Sequence, residues 1–96
     1  AAQIDAMEAQ RIGLVNRTVA DEALSDAVVD LARTIADNAP LALAAAKLAI
    51  DQAVRTPGTR DLAAVEDAAA RCFASADYKE GRAAFTEKRA PRFQGR

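Results

Sequence analysis

Alanine dominates this sequence and limits the folds open to it: 26 of the 96 residues are alanine, whereas aromatic residues make up 4%. Alanine has the highest helix propensity of any residue. Its methyl group buries little apolar surface, at about 25 cal/mol per Å², against a backbone ordering cost of about 1–2 kcal/mol per residue. The sequence therefore predicts packed helices with a thin core, and further apolar surface that is buried against something else.

The chain has no histidine and a single cysteine, Cys72. It therefore lacks an imidazole for general-base work, for hydrolase triads and for histidine-containing zinc sites. One cysteine forms no internal disulfide, which favours a reducing compartment, and without a histidine to activate it Cys72 is expected to act as a small hydrophobe. We predict no metal site within the chain and no catalysis that depends on a histidine.

No apolar run approaches the roughly eighteen residues that a membrane span needs. The first residues, 1–5, contain neither Met nor the charge pattern of a signal peptide. We therefore expect a cytoplasmic protein with no membrane partner, and a start that is a cut within a longer chain.

The first twenty residues predict a short helix followed by a strand. Asp5 is the expected N-cap of a helix over residues 5–12, and Gly13 is the left-handed residue that stops it. Residues 14–19 are β-branched and apolar, which is typical of a strand. Because no other segment is typical of a strand, its ladder partners are expected outside these 96 residues.

Two further helices are expected over residues 21–38 and 40–55. Asp21 is the predicted N-cap of the first, whose apolar stripe is Leu24, Val28, Leu31 and Ile35. Pro40 suits the first position of the second helix. That helix has two apolar stripes, so we expect it to be buried on most sides.

The last two predicted helices follow the turn cluster at residues 56–58. Thr59 is the expected cap of the first, and Ser75 is the expected cap of the second. On the second helix Tyr78, Gly81 and Phe85 share a face, and Pro91 is predicted to end it. The stripe of the first helix is Leu62, Val65, Ala69, Cys72 and Phe73.

Charge is distributed unevenly along the chain. Residues 1–78 carry seven Lys and Arg against twelve Asp and Glu, net −5, whereas residues 79–96 carry six against two, net +4. A basic end after an acidic body indicates an anionic partner such as a phosphate, a nucleic acid or an acidic protein surface.

Phe85 and Lys88 are the candidate ligand-binding residues. At positions i and i+3 of a helix they present an aromatic face and an ammonium group side by side, which suits the ring and a phosphate of a nucleotide. The alternative is that Phe85 completes the core face of Tyr78 and Gly81, and that Lys88 is a solvated charge.

Three stretches of the sequence, in order, resemble the enoyl-CoA hydratase/isomerase (crotonase) superfamily. The first is Ile4-Asp5-Ala6-Met7-Glu8-Ala9 followed by Arg11-Ile12-Gly13-Leu14-Val15-Asn16-Arg17. The second contains Leu31-Ala32, Ile35-Ala36, Ala39-Pro40-Leu41-Ala42 and Ala46-Lys47. The third is Ser75-Ala76-Asp77-Tyr78-Lys79-Glu80-Gly81, then Ala84-Phe85, Glu87-Lys88-Arg89-Ala90-Pro91 and Phe93.

The resemblance implies a mainly α chain, the C-terminal helical segment of a crotonase-like α/β spiral fold. Residues 1–20 would end the crotonase core, with the orphan strand near 14–19, and residues 21–96 would form a helical region for oligomer contacts and CoA covering. The catalytic glutamates and oxyanion hole would lie upstream, so the 96 residues alone are expected to be inactive. Phe85 and Lys88 would lie near the adenine and phosphates of CoA.

The same resemblance implies an enzyme that acts on acyl-CoA thioesters, with hydration of a trans-2-enoyl-CoA as the expected reaction. Coenzyme A is then part of the substrate, and no separate cofactor is expected. The expected partners are the upstream core and further copies of the chain, in a trimer or a dimer of trimers, with no nucleic acid. The alternative is a non-enzymatic helical interaction module derived from a crotonase.

Overall fold

The computed structural model describes residues 3–96, which form five α-helices and no strand. The chain divides into two compact units, Ala1–Arg33 and Thr34–Arg96. The helices are α1 (Ala6–Arg11), α2 (Leu24–Ala36), α3 (Pro40–Ala53), α4 (Leu62–Ala74) and α5 (Ala76–Glu87). None of these helices has the length and apolar character needed to cross a membrane.

Helix α1 begins and ends as the sequence predicts. The carboxylate of Asp5 accepts the backbone N–H of Glu8 at 2.7 Å, which satisfies one of the free donors of the first turn. Gly13 follows the helix with φ +76°, a left-handed conformation that suits glycine. The sequence-predicted cap and stop are both confirmed.

Residues 14–19 do not form the predicted strand. Part of this backbone is satisfied by a side chain instead, because Oε1 of Gln10 accepts the N–H of Thr18 at 2.7 Å and its hydroxyl at 2.8 Å. A strand needs a ladder partner, and residues 3–96 contain no second strand to supply one.

Helix α2 is preceded by a 3-10 turn over Asp21–Ala23. Ala20 occupies the N-cap position of that turn and makes no side-chain cap bond, so the predicted capping role of Asp21 is wrong. The predicted apolar stripe is present on α2 but is 49–58% exposed, at Leu24, Val28, Leu31 and Ile35.

Helices α3 and α4 pack against each other. Pro40 is at the first turn of α3, as predicted. Gln52 of α3 is 5% exposed, and its Oε1 accepts the N–H of Asp61 at 2.7 Å. Asp61 in turn caps α4 by accepting the N–H of Ala64 at 2.9 Å. The predicted Thr59 cap is wrong, because Thr59 belongs to the 3-10 turn Pro57–Thr59.

Only one of the two apolar stripes of α3 is covered. The half-buried stripe comprises Leu41, Ala45 and Leu48. On the other stripe Ile50 and Val54 are 64% and 81% exposed. The expectation that α3 is buried on most sides is therefore wrong for this chain.

Helix α5 starts at the predicted cap, since Oγ of Ser75 accepts the N–H of Tyr78 at 3.0 Å. The helix ends at Glu87, and Lys88 follows in the left-handed conformation with φ +53°. The predicted stop at Pro91 is wrong, because the chain leaves the helix three residues earlier.

Small residues form the buried apolar part of the described chain, as the alanine content predicts. The buried apolar residues are Ala9, Ala68 and Ala84. The buried polar residues are Gln52, Ser75 and Asp77. No large side chain among residues 3–96 is fully buried.

Candidate functional site

The candidate site lies in the Thr34–Arg96 unit, around an open and largely apolar cavity of about 520 Å³. The start of α3, the end of α4, one face of α5 and the residues after α5 line it. Its lining residues are Ala39, Leu41, Ala42, Cys72, Ser75, Asp77, Tyr78, Gly81, Arg82, Phe85, Thr86 and Phe93. Tyr78, Gly81 and Phe85 thus share a face of α5, as the sequence predicts.

Residues 88–96, the C-terminal segment, fold back along α5. The ring of Phe93 lies against Gly81, where a Cβ atom would be 3.5 Å from Cε1 of Phe93. Gly95 has φ +76° and lies near Pro40, the first residue of α3. The segment thereby brings Phe93 into the cavity wall.

Asp77 binds the C-terminal segment through both carboxylate oxygens. Oδ1 accepts the backbone N–H of Gln94 and Oδ2 accepts that of Gly95, each at 2.7 Å. The N–H of Asp77 donates to the carbonyl oxygen of Arg96 at 3.1 Å. Asp77 is 3% exposed, so these bonds satisfy a buried charge.

Glu80, one turn after Asp77, binds the segment at a second point. Its carboxylate accepts two hydrogen bonds from the Arg89 guanidinium, at 2.6 and 2.9 Å, and the backbone N–H of Arg92 at 2.8 Å. The Arg89 guanidinium and the Arg92 N–H lower the pKa of Glu80 from 4.5 to about 2. Arg89 also pairs with Glu87 at 2.6 Å, so its guanidinium is engaged by two carboxylates within the chain.

Phe85 and Lys88 lie at the end of α5. Phe85 lines the cavity and is 88% exposed, so it does not complete a core face in this chain. Lys88 is outside the helix, and its ammonium makes no ion pair among residues 3–96. Both side chains are therefore open to solvent, but Lys88 does not line the cavity and does not have the helical i+3 geometry on which the sequence argument rested.

An aromatic pair that the sequence did not predict lies beside the cavity. The rings of Phe73 and Tyr78 meet edge to face, with centroids 5.3 Å apart, and the Arg82 guanidinium lies 6.0 Å from the centroid of the Tyr78 ring. Phe73 was expected in the apolar stripe of α4 but is 65% exposed. Helical periodicity carried no signal for this pair, because the break at Ser75 separates its members.

Asp77 and Glu80 are the functional candidates that sequence reasoning missed. Their i, i+3 spacing in the first turns of α5 was a usable signal, since it places two carboxylates on one helix face. Their partners in the C-terminal segment could not be recognised from local patterns. Elsewhere in residues 3–96, no group of three or more Cys, Asp or Glu side chains is arranged to hold a metal ion.

Comparison with known proteins gives the family. The profile of the enoyl-CoA hydratase/isomerase family matches residues 1–96. Crotonyl-CoA hydratase of Syntrophomonas wolfei is 41% identical over 90 residues, which are 94% of this chain and 35% of that protein. Mouse mitochondrial methylglutaconyl-CoA hydratase is 35% identical over 96 residues, 96% of this chain and 31% of that protein.

Solved structures agree with this result. The crystal structure of an enoyl-CoA hydratase/isomerase from Mycobacterium paratuberculosis superposes with a TM-score of 0.84 at 31% identity, over 97% of this chain and 37% of that one. Because the family profile matches residues 1–96 and the solved structure shares the fold of this chain, the chain belongs to the enoyl-CoA hydratase/isomerase family. It spans about a third of the length of the curated relatives it matches.

Proposed function

We propose that the chain is the helical C-terminal part of an enzyme that acts on acyl-CoA thioesters, with hydration of a trans-2-enoyl-CoA as its reaction. Residues 1–20 end the spiral core of that enzyme, and residues 21–96 form its oligomer-contacting and CoA-covering region. The names of the relatives support this reading, since they include crotonyl-CoA and short-chain-enoyl-CoA hydratases. The catalytic carboxylates and the oxyanion hole lie in the remainder of the enzyme.

One observation carries the proposed contribution to the CoA site: Phe85 lines an apolar cavity and is 88% exposed, and the exposed Lys88 follows it three residues later at the end of α5. An exposed aromatic ring offers a stacking surface for a nucleobase, and an ammonium group offers a charge for a phosphate. Arg89 is a poorer phosphate ligand because Glu80 and Glu87 already engage it.

The proposed role of these residues in the reaction is positioning. Binding energy from the nucleotide end of the substrate, remote from the reacting carbons, fixes the thioester relative to the groups that perform the chemistry. Phe85 and Lys88 would supply part of that energy without touching the reacting atoms. The chain alone is therefore expected to be inactive.

Exposed apolar faces support the proposed assembly into a trimer or a dimer of trimers. The stripes on α2 and α3 expose large side chains, among them Leu24, Val28, Leu31, Ile50 and Val54. Burial of such surface against the upstream core and neighbouring subunits is favourable at about 25 cal/mol per Å². Light scattering of the full-length enzyme tests the stoichiometry, and a monomer would contradict it.

A cytoplasmic location is part of the proposal and rests on the free thiol of Cys72. Fractionation of the source cells tests it. Recovery of the enzyme in an organelle, as the name of the mouse relative says of that protein, would contradict it.

The deciding experiment for the CoA site is Lys88→Ala in the full-length enzyme. The KM for an enoyl-CoA should rise about tenfold, the equivalent of about 1.4 kcal/mol from one charge-assisted contact. The KM for the corresponding enoyl-pantetheine thioester, which lacks the nucleotide, should stay unchanged.

Lys79→Ala is the matched control, because Lys79 is an exposed lysine in the first half of α5, six residues before Phe85. It should leave both KM values unchanged. Equal effects of Lys88→Ala on both substrates would contradict the proposed contact with the nucleotide.

A further inference from the structure

Two carboxylates of α5 bind three backbone N–H groups that flank Phe93, one before it and two after it. Glu80 accepts the N–H of Arg92, the residue before Phe93, and Asp77 accepts those of Gln94 and Gly95, the two residues after it. All three distances lie between 2.7 and 2.8 Å. The main chain at Phe93 is thus held on both sides from one helix face.

We propose that Asp77 and Glu80 are positioning residues that hold Phe93 in the cavity wall and thereby set the affinity of the cavity for the nucleotide end of an acyl-CoA. The proposal deepens the function proposed above and rests on it. Asp77 and Glu80 touch no ligand in this mechanism, and their effect reaches the cavity only through the position of the Phe93 ring.

The geometry favours a positioning role over simple stabilisation of α5. A carboxylate in the first turn of a helix is favourable whichever way it faces, because of the helix dipole. Both carboxylate oxygens of Asp77 nevertheless accept hydrogen bonds from the C-terminal segment, and Asp77 itself is nearly completely buried. The cap of α5 is supplied by Ser75 instead.

Phe93 is the part of the segment through which the effect would act. Its ring lies on Gly81 and lines the same cavity as Phe85. A Cβ atom at residue 81 would be in van der Waals contact with this ring, 3.5 Å from Cε1 and 3.7 Å from Cζ, so the ring lies directly over the α5 backbone at Gly81. Release of the segment would remove this wall and widen the cavity beside Phe85.

Asp77→Asn is the first test, in the full-length enzyme. The amide group of Asn accepts through one oxygen only, so one of the two backbone N–H groups loses its partner. We expect faster hydrogen exchange at Gln94 or Gly95, whichever loses its partner. The KM for enoyl-CoA should rise about fivefold with kcat within about twofold, the pattern expected when substrate and transition state lose the same binding energy. The KM for the enoyl-pantetheine thioester should not change.

Glu80→Ala, which removes the oxygen that accepts the Arg92 N–H, should give the same pattern, with faster exchange at Arg92. The matched control is Glu87→Ala, which removes the other carboxylate partner of Arg89 but no bond to the main chain around Phe93. The control should leave exchange in residues 92–95 and both KM values unchanged.

The decisive measurement is a double-mutant cycle with Phe93→Ala, which removes the ring and keeps every backbone bond. If Asp77 acts through Phe93, Phe93→Ala alone raises the KM for enoyl-CoA about fivefold, and adding Asp77→Asn raises it no further. Independent effects would multiply to about 25-fold and would overturn the proposal. Because Phe93→Ala keeps the carboxylates, it remains informative if Asp77→Asn fails to fold.

Two other results would overturn the inference. One is faster exchange at Gln94 or Gly95 with an unchanged KM, and the other is an equal loss with both substrates, as expected from general destabilisation. Failure of the CoA site itself is distinguishable, because Lys88→Ala would then also leave the KM for enoyl-CoA unchanged. If Lys88→Ala raises that KM and Asp77→Asn does not, only the positioning role is wrong.

Discussion

Lys88 caps α5 from a left-handed conformation, with φ +53°, and donates its backbone N–H to the carbonyl oxygen of Phe85 at 3.3 Å. A residue with a Cβ atom is disfavoured in this region relative to glycine, which is the usual residue after a helix. Lys88, the proposed phosphate ligand, therefore has a backbone conformation in which its side chain lowers the stability of the protein.

Substitution of Lys88 should separate stability from binding. Lys88→Gly should stabilise the full-length enzyme by about 1 kcal/mol, because it relieves the left-handed strain, while weakening enoyl-CoA binding. Lys88→Ala removes the same ammonium group but keeps the strain, so it should weaken binding without the gain in stability. Thermal unfolding together with the KM values of the two variants checks this, and equal unfolding temperatures would contradict it.

Phe85→Ala should affect binding far more than stability. A buried phenylalanine costs about 3–5 kcal/mol when truncated, whereas exposed substitutions usually stay within about 0.5 kcal/mol. Since Phe85 is 88% exposed, we expect the smaller value in the full-length enzyme and a raised KM for enoyl-CoA. A large fall in unfolding temperature would show that Phe85 is a core residue of the whole enzyme.

The ion pair between Glu80 and Arg89 predicts a specific loss of stability in acid. The pKa of Glu80 is about 2 in the folded chain against an ordinary 4.5. Because the pKa of Glu80 is lower in the folded chain than in the unfolded chain, its ionised carboxylate stabilises the fold. This contribution to stability is complete above about pH 4.5 and is lost as the pH falls towards 2. Unfolding temperatures between these pH values should fall less steeply in Glu80→Gln than in the unchanged enzyme.

The exposed carboxylate of Glu66 on α4 supplies the control for this pH series. Glu66→Gln should keep the slope of the unchanged enzyme. A Glu80→Gln slope equal to that of Glu66→Gln would contradict the prediction.

Removal of the α5 cap should be measurable. Ser75→Ala deletes the side-chain hydroxyl of Ser75. This hydroxyl accepts the Tyr78 N–H at 3.0 Å and donates to the carbonyl oxygen of Cys72 at 2.6 Å. Loss of an N-cap costs about 1 kcal/mol, which thermal unfolding of the full-length enzyme can detect. Asp21→Ala is the control, because the 3-10 turn at Asp21 has no side-chain cap bond, and its unfolding temperature should not change.

The purified 96-residue chain should not behave as an independent folded module. Its buried apolar residues, within the part that the structure describes, are three alanines. We expect helical circular dichroism without a cooperative thermal transition, together with binding of a hydrophobic dye, as in molten states. A monomer that unfolds cooperatively would favour the alternative of a non-enzymatic helical interaction module.

Local chemistry allowed some features to be predicted from the sequence alone. The caps at Asp5 and Ser75 and the stop at Gly13 depend on residues within three positions, and such signals are readable in a sequence. The cap of α4 was misassigned because Thr59 and Asp61 are both suitable residues. The backbone of Asp61 is bound by Gln52, nine residues away, and that tertiary contact was not visible in the local pattern.

Periodicity indicated which residues share a face but not what covers that face. Leu41 and Ile50 belong to two apolar stripes of α3 whose helical spacing is equally regular. Nevertheless, Leu41 is half-buried and Ile50 is 64% exposed. The candidate site shows the same limit: Phe85 was found from its helix position and family motif. The roles of Asp77 and Glu80 depend on residues that are 12–18 positions further along the chain.

The return of the C-terminal segment to α5 also has a consequence for folding kinetics. Its bonds to Asp77 close loops of 17 and 18 residues, and closure entropy grows slowly with length, by about 0.6 kcal/mol for each doubling. Contacts of such short sequence separation form quickly compared with pairings between distant segments. We therefore expect this closure to precede the proposed subunit assembly, so that Phe93 would already be in place when the exposed faces of α2 and α3 were covered.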